Sequence, residues 1–186
     1  MNNTLLLLRH GHSEANELEK IISDPLQGCN GYGLSATGRR TLLARLPQLF
    51  EGMQIDKIIS SDFLRTRQTA DIVAGLAGQV VQHDIRLRER FFGSLDGSNA
   101  DNYAEIWRRD AANSSHNCWG VESTEVVAAR MLSVVEEINR SFDNCCVILV
   151  SHGDPLQILE ASLQGLDPGQ HRNLEPLSPG ELRALS

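Results

Sequence analysis

The sequence has 186 residues, of which 41% are hydrophobic and 22% are charged, and these values are typical of a single globular domain. Its formal net charge of −7 argues against binding to nucleic acid or to an anionic membrane surface, because both attract basic surfaces. The four cysteines lack metal-ligand spacing, and no segment has the form of a signal peptide or the length of a membrane span, so we expect a cytoplasmic protein.

Three continuous apolar segments predict buried parallel strands, at residues 4–8, 57–60 and 145–150. A weaker fourth strand is predicted at residues 80–83. Strands of this kind need cover on both faces, and the segments between them supply helical patterns.

Four stretches have the apolar spacing of helices: residues 35–52, 62–77, 123–142 and 155–163. Ser35 is the expected N-cap of the first helix, and Pro47 within it predicts a kink or an earlier end. Asp154 is the expected N-cap of the last helix, with Pro155 at the first helical position. Strands that alternate with helices predict an α/β fold around a central, mainly parallel sheet.

Residues 90–122 interrupt this alternation. The segment is rich in Gly, Asp, Asn and Ser and contains the short helix-like sequence YAEIWRRD. We interpret it as a small cap-like insertion, within one domain over residues 1–186, that closes over one edge of the sheet.

Basic side chains gather where three of the predicted strands end: Arg9, His10, Arg65 and His152. Ligands of open α/β sheets bind just beyond the carboxyl ends of the strands. Arginine forks and helix N-termini suit phosphate oxygens, and Gly11 and Gly153 carry no side chain to block a ligand. One such residue alone is more often a solvated turn residue, but four converging on one rim indicate a phosphate site.

Six segments, in order along the chain, resemble the motifs of one known protein family: residues 9–16, 34–40, 60–70, 87–97, 120–130 and 150–155. The first contains RHG and the last reads VSHGDP. Together they resemble the motifs of the histidine phosphatase superfamily, the phosphoglycerate mutase-like group. The resemblance implies a three-layer sandwich, with helices on both sides of the sheet.

The resemblance also implies roles for the gathered side chains. His10 would be the nucleophile that forms a phosphohistidine, which water then hydrolyses. Arg9, Arg65 and His152 would hold the phosphoryl oxygens, and Asn16 would add a neutral donor. No metal ion or other cofactor is expected, because these cationic groups stabilise the transferred charge.

Glu89 matches the position of the family's proton donor. That role needs a protonated carboxyl and therefore a raised pKa. Without the resemblance, Glu89 would be interpreted as an ion-paired member of the run RLRER. Asp154 is an alternative donor, but Gly153 separates it from the histidine, which favours the capping role.

Two enzymatic functions remain open, and hydrolysis is favoured over a mutase that transfers the phosphoryl group within a phospho-sugar acid. Arg90, Arg108 and Arg109 are candidates for gripping the rest of the substrate, with Arg90 preferred. Against a mutase, the chain is short and the insertion's SNADNY has no match to the mutase lysine. A phospho-ligand-binding module without turnover is a third, weaker alternative. The expected ligand is a small anionic phosphorylated molecule. His12 lies either at the rim of the pocket or in solvent. The sequence does not indicate an oligomeric state.

Overall fold

The computed structural model describes residues 3–185. Five strands form one sheet in the order β3-β2-β4-β1-β5. In chain order they are β1 (Thr4–Arg9), β2 (Lys57–Ser60), β3 (Val81–His83), β4 (Cys146–Ser151) and β5 (Leu182–Ala184). The first four pair in parallel and β5 is antiparallel to β1, which confirms the mainly parallel sheet.

Residues 3–185 contain seven α-helices: α1 (Glu14–Glu17), α2 (Pro25–Gly28), α3 (Ala36–Leu49), α4 (Leu64–Ala77), α5 (Tyr103–Ala112), α6 (Thr124–Ser141) and α7 (Gly153–Leu163). Leu5 and Leu7 of β1 pack with α6 and α7 on one face, and Leu6 and Leu8 pack with α3 and α4 on the other. The continuous apolar runs therefore have a simple cause, because both faces of each central strand are covered. No helix in residues 3–185 is long and apolar enough to cross a membrane.

The register of the two central strands fixes the position of the histidines. Arg9, the last residue of β1, pairs with Ser151, the last residue of β4. His10 and His152 are consequently the first residues beyond two adjacent parallel strands, at the same edge of the sheet. The rigid strands, rather than loops, place both rings.

The expected earlier end of the first long helix at Pro47 is wrong, because α3 continues through Pro47 to Leu49, and a proline in the last turn removes only one N–H from the ladder. The expected start of the last helix is also wrong, because α7 begins at Gly153 and not at Pro155. The N-cap of α7 is His152 rather than Asp154, which lies inside the first turn. The carboxylate of Asp154 accepts hydrogen bonds from Trp107 instead of capping the helix.

Residues 90–122 fold into α5 and three short 3₁₀ turns, at Gly93–Leu95, Ala100–Asn102 and Cys118–Gly120. Phe92, Ile106 and Val121 form a small apolar cluster with Ile21. Helix α5 packs against a further 3₁₀ turn, Pro168–Asn173, which follows α7. The two elements form a wall beside the carboxyl ends of β1 and β4.

Candidate active site

A cavity of about 430 Å³ lies at the carboxyl edge of the sheet, with His10 in its wall. The Nδ1 atom of His10 lies 2.7 Å from the carbonyl oxygen of Gly11, to which it donates. Arg65 donates from Nε to Nε2 of His10 over 3.1 Å. Burial first, and then the positive charges of Arg65 and Arg9, hold the pKa of His10 well below its ordinary value. The ring is therefore neutral, with its lone pair on Nε2, the state that a histidine nucleophile needs.

Three buried nitrogen atoms beside His10 have no hydrogen-bond partner within residues 3–185: Arg9 Nε, Arg65 Nη1 and His152 Nδ1. Each side chain is held by another atom. Arg9 Nη1 donates to Leu177 O over 2.6 Å, and Arg65 Nη2 donates to Ile22 O over 3.0 Å. Buried polar atoms are rarely left unsatisfied, so three of them around one ring indicate an anionic ligand.

His152 is fully buried, with its ring centroid 5.3 Å from that of His10. Its Nε2 lies 3.0 Å from Ser61 Oγ, and that hydroxyl already accepts the N–H of Phe63. Donation by the Ser61 hydroxyl to Nε2 places the proton of His152 on Nδ1, 3.6 Å from Glu89 Oε2. Burial, reinforced by Arg65, holds the pKa of His152 well below its ordinary value, so this ring is a neutral donor.

Glu89 lines the same cavity. Its Oε2 lies 3.5 Å from Arg65 Nη2 and 3.6 Å from His152 Nδ1, and its Oε1 accepts the backbone N–H of Arg90. Burial raises the pKa of Glu89 to about 7, and although Arg65 opposes the rise, the negative charge of Asp154 adds to it. A carboxyl with this pKa is protonated in a large fraction of molecules near neutral pH and can serve as an acid.

Asp154 also lines the cavity, but it is ionised. Burial alone would raise the pKa of its carboxyl, yet the combined effect of His171, Arg90 and Trp107 holds that pKa well below its ordinary value. The indole Nε1 of Trp107 donates to both carboxylate oxygens, at 3.0 and 3.1 Å. Of the two carboxyl groups, Glu89 is therefore the one suited to deliver a proton.

Asn16 lines the cavity as well. Its Oδ1 accepts hydrogen bonds from the backbone N–H and from Oγ of Ser13, both at 3.0 Å, as part of the cap of α1. Because the oxygen is committed to Ser13, the amide's Nδ2 donor is the end that remains for a ligand.

The two glycines differ in what their missing side chains allow. Gly153 lines the cavity, and a Cβ there would lie 3.2 Å from Arg9 Cζ, so the small residue leaves the guanidinium room. Gly11 does not line the cavity, and a Cβ there would lie 2.5 Å from Leu42 Cδ1. Its expected role in admitting a ligand is wrong, because close packing against α3 requires this glycine.

Arg90 does not line the cavity, and the expectation that it contacts substrate is wrong. Its side chain is 0% exposed, and it donates from Nη1 and Nη2 to the two carboxylate oxygens of Asp110, each over 2.7 Å. Its Nε donates to the carbonyl of Glu122. Sequence alone could not show this, because the carboxylate that turns Arg90 inward lies 20 residues further along the chain.

The buried pair predicts a large stability effect. Arg90→Leu is expected to lower the free energy of unfolding by about 3–5 kcal/mol, because Asp110 would keep a buried charge without its main partner. Urea unfolding followed by circular dichroism measures the change. Arg108→Leu is the matched control, since Arg108 is 68% exposed and pairs with Glu105 on the surface, so its loss should leave the urea midpoint almost unchanged. Equal effects of the two substitutions would contradict the assignment.

The remaining arginines of the insertion also lie outside the cavity lining. Both Arg108 and Arg109 pair with Glu105, and Arg109 lies over the ring of Trp119. His12 does not line the cavity either, and its Nδ1 lies 3.1 Å from Ser35 Oγ.

The cavity wall contains residues that the sequence did not single out, chiefly Tyr103, Trp107, Gln157 and Arg172. Tyr103 and Trp107 lie four residues apart on α5, so the helical pattern of this segment places both aromatic rings on one face. That shared face is the sequence signal that could have identified them as lining residues. Arg172 lies in the turn Pro168–Asn173 and had no local signal. In residues 3–185, no group of three or more His, Cys, Asp or Glu side chains is arranged to hold a metal ion.

Comparison with known proteins gives one consistent family. Residues 5–186 match the family model described as histidine phosphatase superfamily (branch 1). Probable phosphoglycerate mutases GpmB of Photorhabdus laumondii and Escherichia coli O1:K1 are 34% and 31% identical over 175 and 178 residues, covering 90% of this chain and 78% of each relative.

Solved structures agree with the sequence comparison. The mycobacterial glucosyl-3-phosphoglycerate phosphatase, determined with VO3, matches with a TM-score of 0.83 and 28% identity, covering 98% of this chain and 92% of the other. A phosphoserine phosphatase from Entamoeba histolytica, in complex with 3-phosphoglyceric acid, has the same fold, with a TM-score of 0.79 at 22% identity over 98% of this chain and 89% of the other.

Proposed function

This chain belongs to the histidine phosphatase superfamily, and from that premise we propose that it is a metal-independent phosphatase that hydrolyses phosphomonoesters through a phosphohistidine at His10. The observation that carries the proposal is the neutral His10, whose unprotonated Nε2 accepts the N–H of Arg65 Nε and lies beside three buried, unpartnered nitrogen atoms. A phosphoryl group bound there supplies the missing acceptors for those nitrogens.

The first step transfers the phosphoryl group to the enzyme. As the substrate binds, the hydrogen bond from the Nε–H of Arg65 passes from His10 Nε2 to a phosphoryl oxygen. His10 Nε2 then attacks phosphorus and forms the P–N bond, while the P–O bond to the alcohol breaks. Arg9 and Arg65 are cationic at neutral pH and, with His152 Nδ1–H, they stabilise the charge on the phosphoryl oxygens. Glu89 gives its proton to the departing alkoxide oxygen and becomes a carboxylate.

The second step regenerates the enzyme. Water attacks the phosphorus of the phosphohistidine, Glu89 takes a proton from that water, and the P–N bond breaks. Inorganic phosphate leaves, and both His10 and Glu89 return to their starting protonation states. The same carboxyl group thus acts as acid and then as base.

Hydrolysis is favoured over mutase chemistry by what the cavity lacks within the described residues. None of Arg90, Arg108 and Arg109 lines it, so the insertion supplies no arginine for holding an intermediate during reorientation. The mutase remains the second candidate because relatives at 31–34% identity are described as probable phosphoglycerate mutases. The proposed substrate is a small phosphorylated molecule that fits about 430 Å³, and the proposed location is the cytoplasm.

One assay separates these functions. With 3-phosphoglycerate and a catalytic amount of its bisphosphate, we expect release of inorganic phosphate and no accumulation of 2-phosphoglycerate. Interconversion of the two monophosphates faster than phosphate release would identify a mutase. Stoichiometric binding without turnover of any phosphomonoester, including 4-nitrophenyl phosphate, would identify a binding module.

A further inference from the structure

The outer wall of the cavity holds an arginine in a fixed position. The guanidinium of Arg172 lies over the ring of Trp107, with Cζ 3.8 Å from the ring centroid. Trp107 is itself stacked on Tyr103, with a 6° angle between the two rings. Arg172 Nη1 donates to Gln157 Oε1 over 2.6 Å. The stacking sets the plane of the guanidinium, and the hydrogen bond sets its rotation in that plane.

Arg172 has no carboxylate partner within 4.0 Å among residues 3–185. This distinguishes it from most arginines of the molecule, such as Arg88, which is paired with Asp62. Lys20 lines the same cavity and also has no carboxylate partner in that range. Two cationic groups thus face a cavity without a protein counter-charge bound to either.

The charge balance of the whole cavity leaves room for a second anion. Its lining carries four cationic side chains: Arg9, Lys20, Arg65 and Arg172. It also carries three carboxyl groups: Glu19, Glu89 and Asp154. Asp154 shares Arg90 with Asp110 behind the wall, and the proposed mechanism needs Glu89 protonated. A bound phosphoryl dianion offsets Arg9 and Arg65, so Arg172 and Lys20 remain, and neither Glu19 nor Asp154 lies within 4.0 Å of them to form an ion pair.

The two cationic regions are close enough for one small substrate to span them. Arg172 is stacked on Trp107, and Trp107 donates a hydrogen bond to Asp154. Asp154 directly follows Gly153, which lies against the guanidinium of Arg9. The positive charge of Arg172 contributes to lowering the pKa of Arg9, although burial is the main cause. An electrostatic effect of this kind requires a short separation.

We propose that Arg172, oriented by Trp107 and Gln157, binds a carboxylate of the substrate and selects phosphorylated hydroxy or amino acids over uncharged analogues. Because Nη1 is committed to Gln157, the Nε–Nη2 edge remains, and its two parallel donors match the two oxygens of a carboxylate. The inference rests on the proposed phosphatase function. It assigns the substrate's second anion to the turn after α7 rather than to the insertion's Arg90.

The test compares substrates that differ only in the carboxylate. For wild type we expect kcat/KM for 3-phosphoglycerate to exceed that for glycerol 3-phosphate by at least about tenfold. This ratio corresponds to the free energy that one charge-assisted hydrogen bond contributes to binding. Arg172→Gln should lower kcat/KM for 3-phosphoglycerate by about 10- to 100-fold, mainly through KM, and change glycerol 3-phosphate by less than about twofold. Arg172→Lys should recover part of the loss, and Arg108→Gln should change neither substrate.

Several results would overturn the inference. Equal losses for both substrates in Arg172→Gln would mean that Arg172 only supports the wall, and equal kcat/KM values in wild type would remove the preference altogether. A greater Arg172-dependent preference for propane-1,3-diol bisphosphate would assign the subsite to a second phosphate. If wild type hydrolyses 4-nitrophenyl phosphate without a carboxylate preference, the inference alone fails. If nothing is hydrolysed, the proposed function fails, and calorimetric Kd values for the same two ligands decide the subsite.

Discussion

His10→Ala is expected to lower kcat/KM for every phosphomonoester by at least about 10⁴-fold, because the variant has no group that can accept the phosphoryl group. The residual rate would come from direct attack of water in a site that still binds phosphate through Arg9 and Arg65. Hydrolysis of 4-nitrophenyl phosphate, followed by the absorbance of the released 4-nitrophenolate, is sensitive enough to measure a loss of this size.

His12→Ala is the matched control for that experiment. It removes a second imidazole two residues away, and His12 does not line the cavity, so kcat/KM should stay within about twofold of wild type. Unchanged circular dichroism of both variants would show that folding is intact. Retention of more than about 1% of activity by His10→Ala would contradict a phosphohistidine mechanism.

Glu89→Gln is expected to have the second-largest effect, and the effect should depend on the leaving group. For alkyl phosphates, kcat/KM should fall by about 10²- to 10³-fold, because the alkoxide needs a proton as it departs. For 4-nitrophenyl phosphate, kcat/KM reports formation of the phosphoenzyme with a leaving group that needs no proton, so it should fall by less than about fivefold. Measurement of kcat/KM for both substrates in both proteins tests this.

The role of Glu89 as an acid also predicts the direction in which kcat/KM changes with pH. Glu89 has a raised pKa of about 7 and must be protonated to act as an acid. Wild-type kcat/KM for an alkyl phosphate should therefore decline as pH rises through about 7, and the decline should be absent in Glu89→Gln. Glu105→Gln, on the exposed face of α5, should keep the wild-type profile. Equal slowing of alkyl and aryl phosphates by Glu89→Gln would contradict the role of Glu89.

The central strands and both histidines were predictable from sequence because their signals are local. A buried parallel strand is apolar at every position, as in residues 5–8, and the residue that follows it lies at the sheet edge. The short edge strand β5 has no such signal, since Leu182–Ala184 is only three residues long and none of them is buried. Its antiparallel pairing with β1 depends on tertiary contact alone.

The errors in the site concern side chains whose partners are distant in sequence. The sequence predicts Arg90 as a substrate contact, but its partner is Asp110, and it predicts Asp154 as a helix cap, but its carboxylate accepts the indole N–H of Trp107. A run such as RLRER does not show which of its side chains turns inward. Arg172 was missed for the same reason, because only the fold brings its turn against α5.

An acidic protein can thus bind an anion through local charge rather than net charge. The chain carries −7 overall, yet the cavity gathers Arg9 and Arg65 around a neutral histidine, and burial keeps Glu89 protonated in a large fraction of molecules near neutral pH. Burial lowers the pKa of both arginines, but guanidinium groups stay charged at neutral pH. In the proposed mechanism, their positive field and the low dielectric of the site would act together on a bound phosphoryl group.

The most direct test of the account is to trap the phosphorylated enzyme during turnover. Wild type is mixed with excess 4-nitrophenyl phosphate and quenched within milliseconds in alkali, which preserves a P–N bond, and its peptides are mapped by mass spectrometry. We predict one added phosphate on His10, formed and lost at rates no slower than kcat, and no such adduct in His10→Ala. Phosphate on another residue, or steady turnover in which no quench time yields phosphate on His10, would contradict the mechanism.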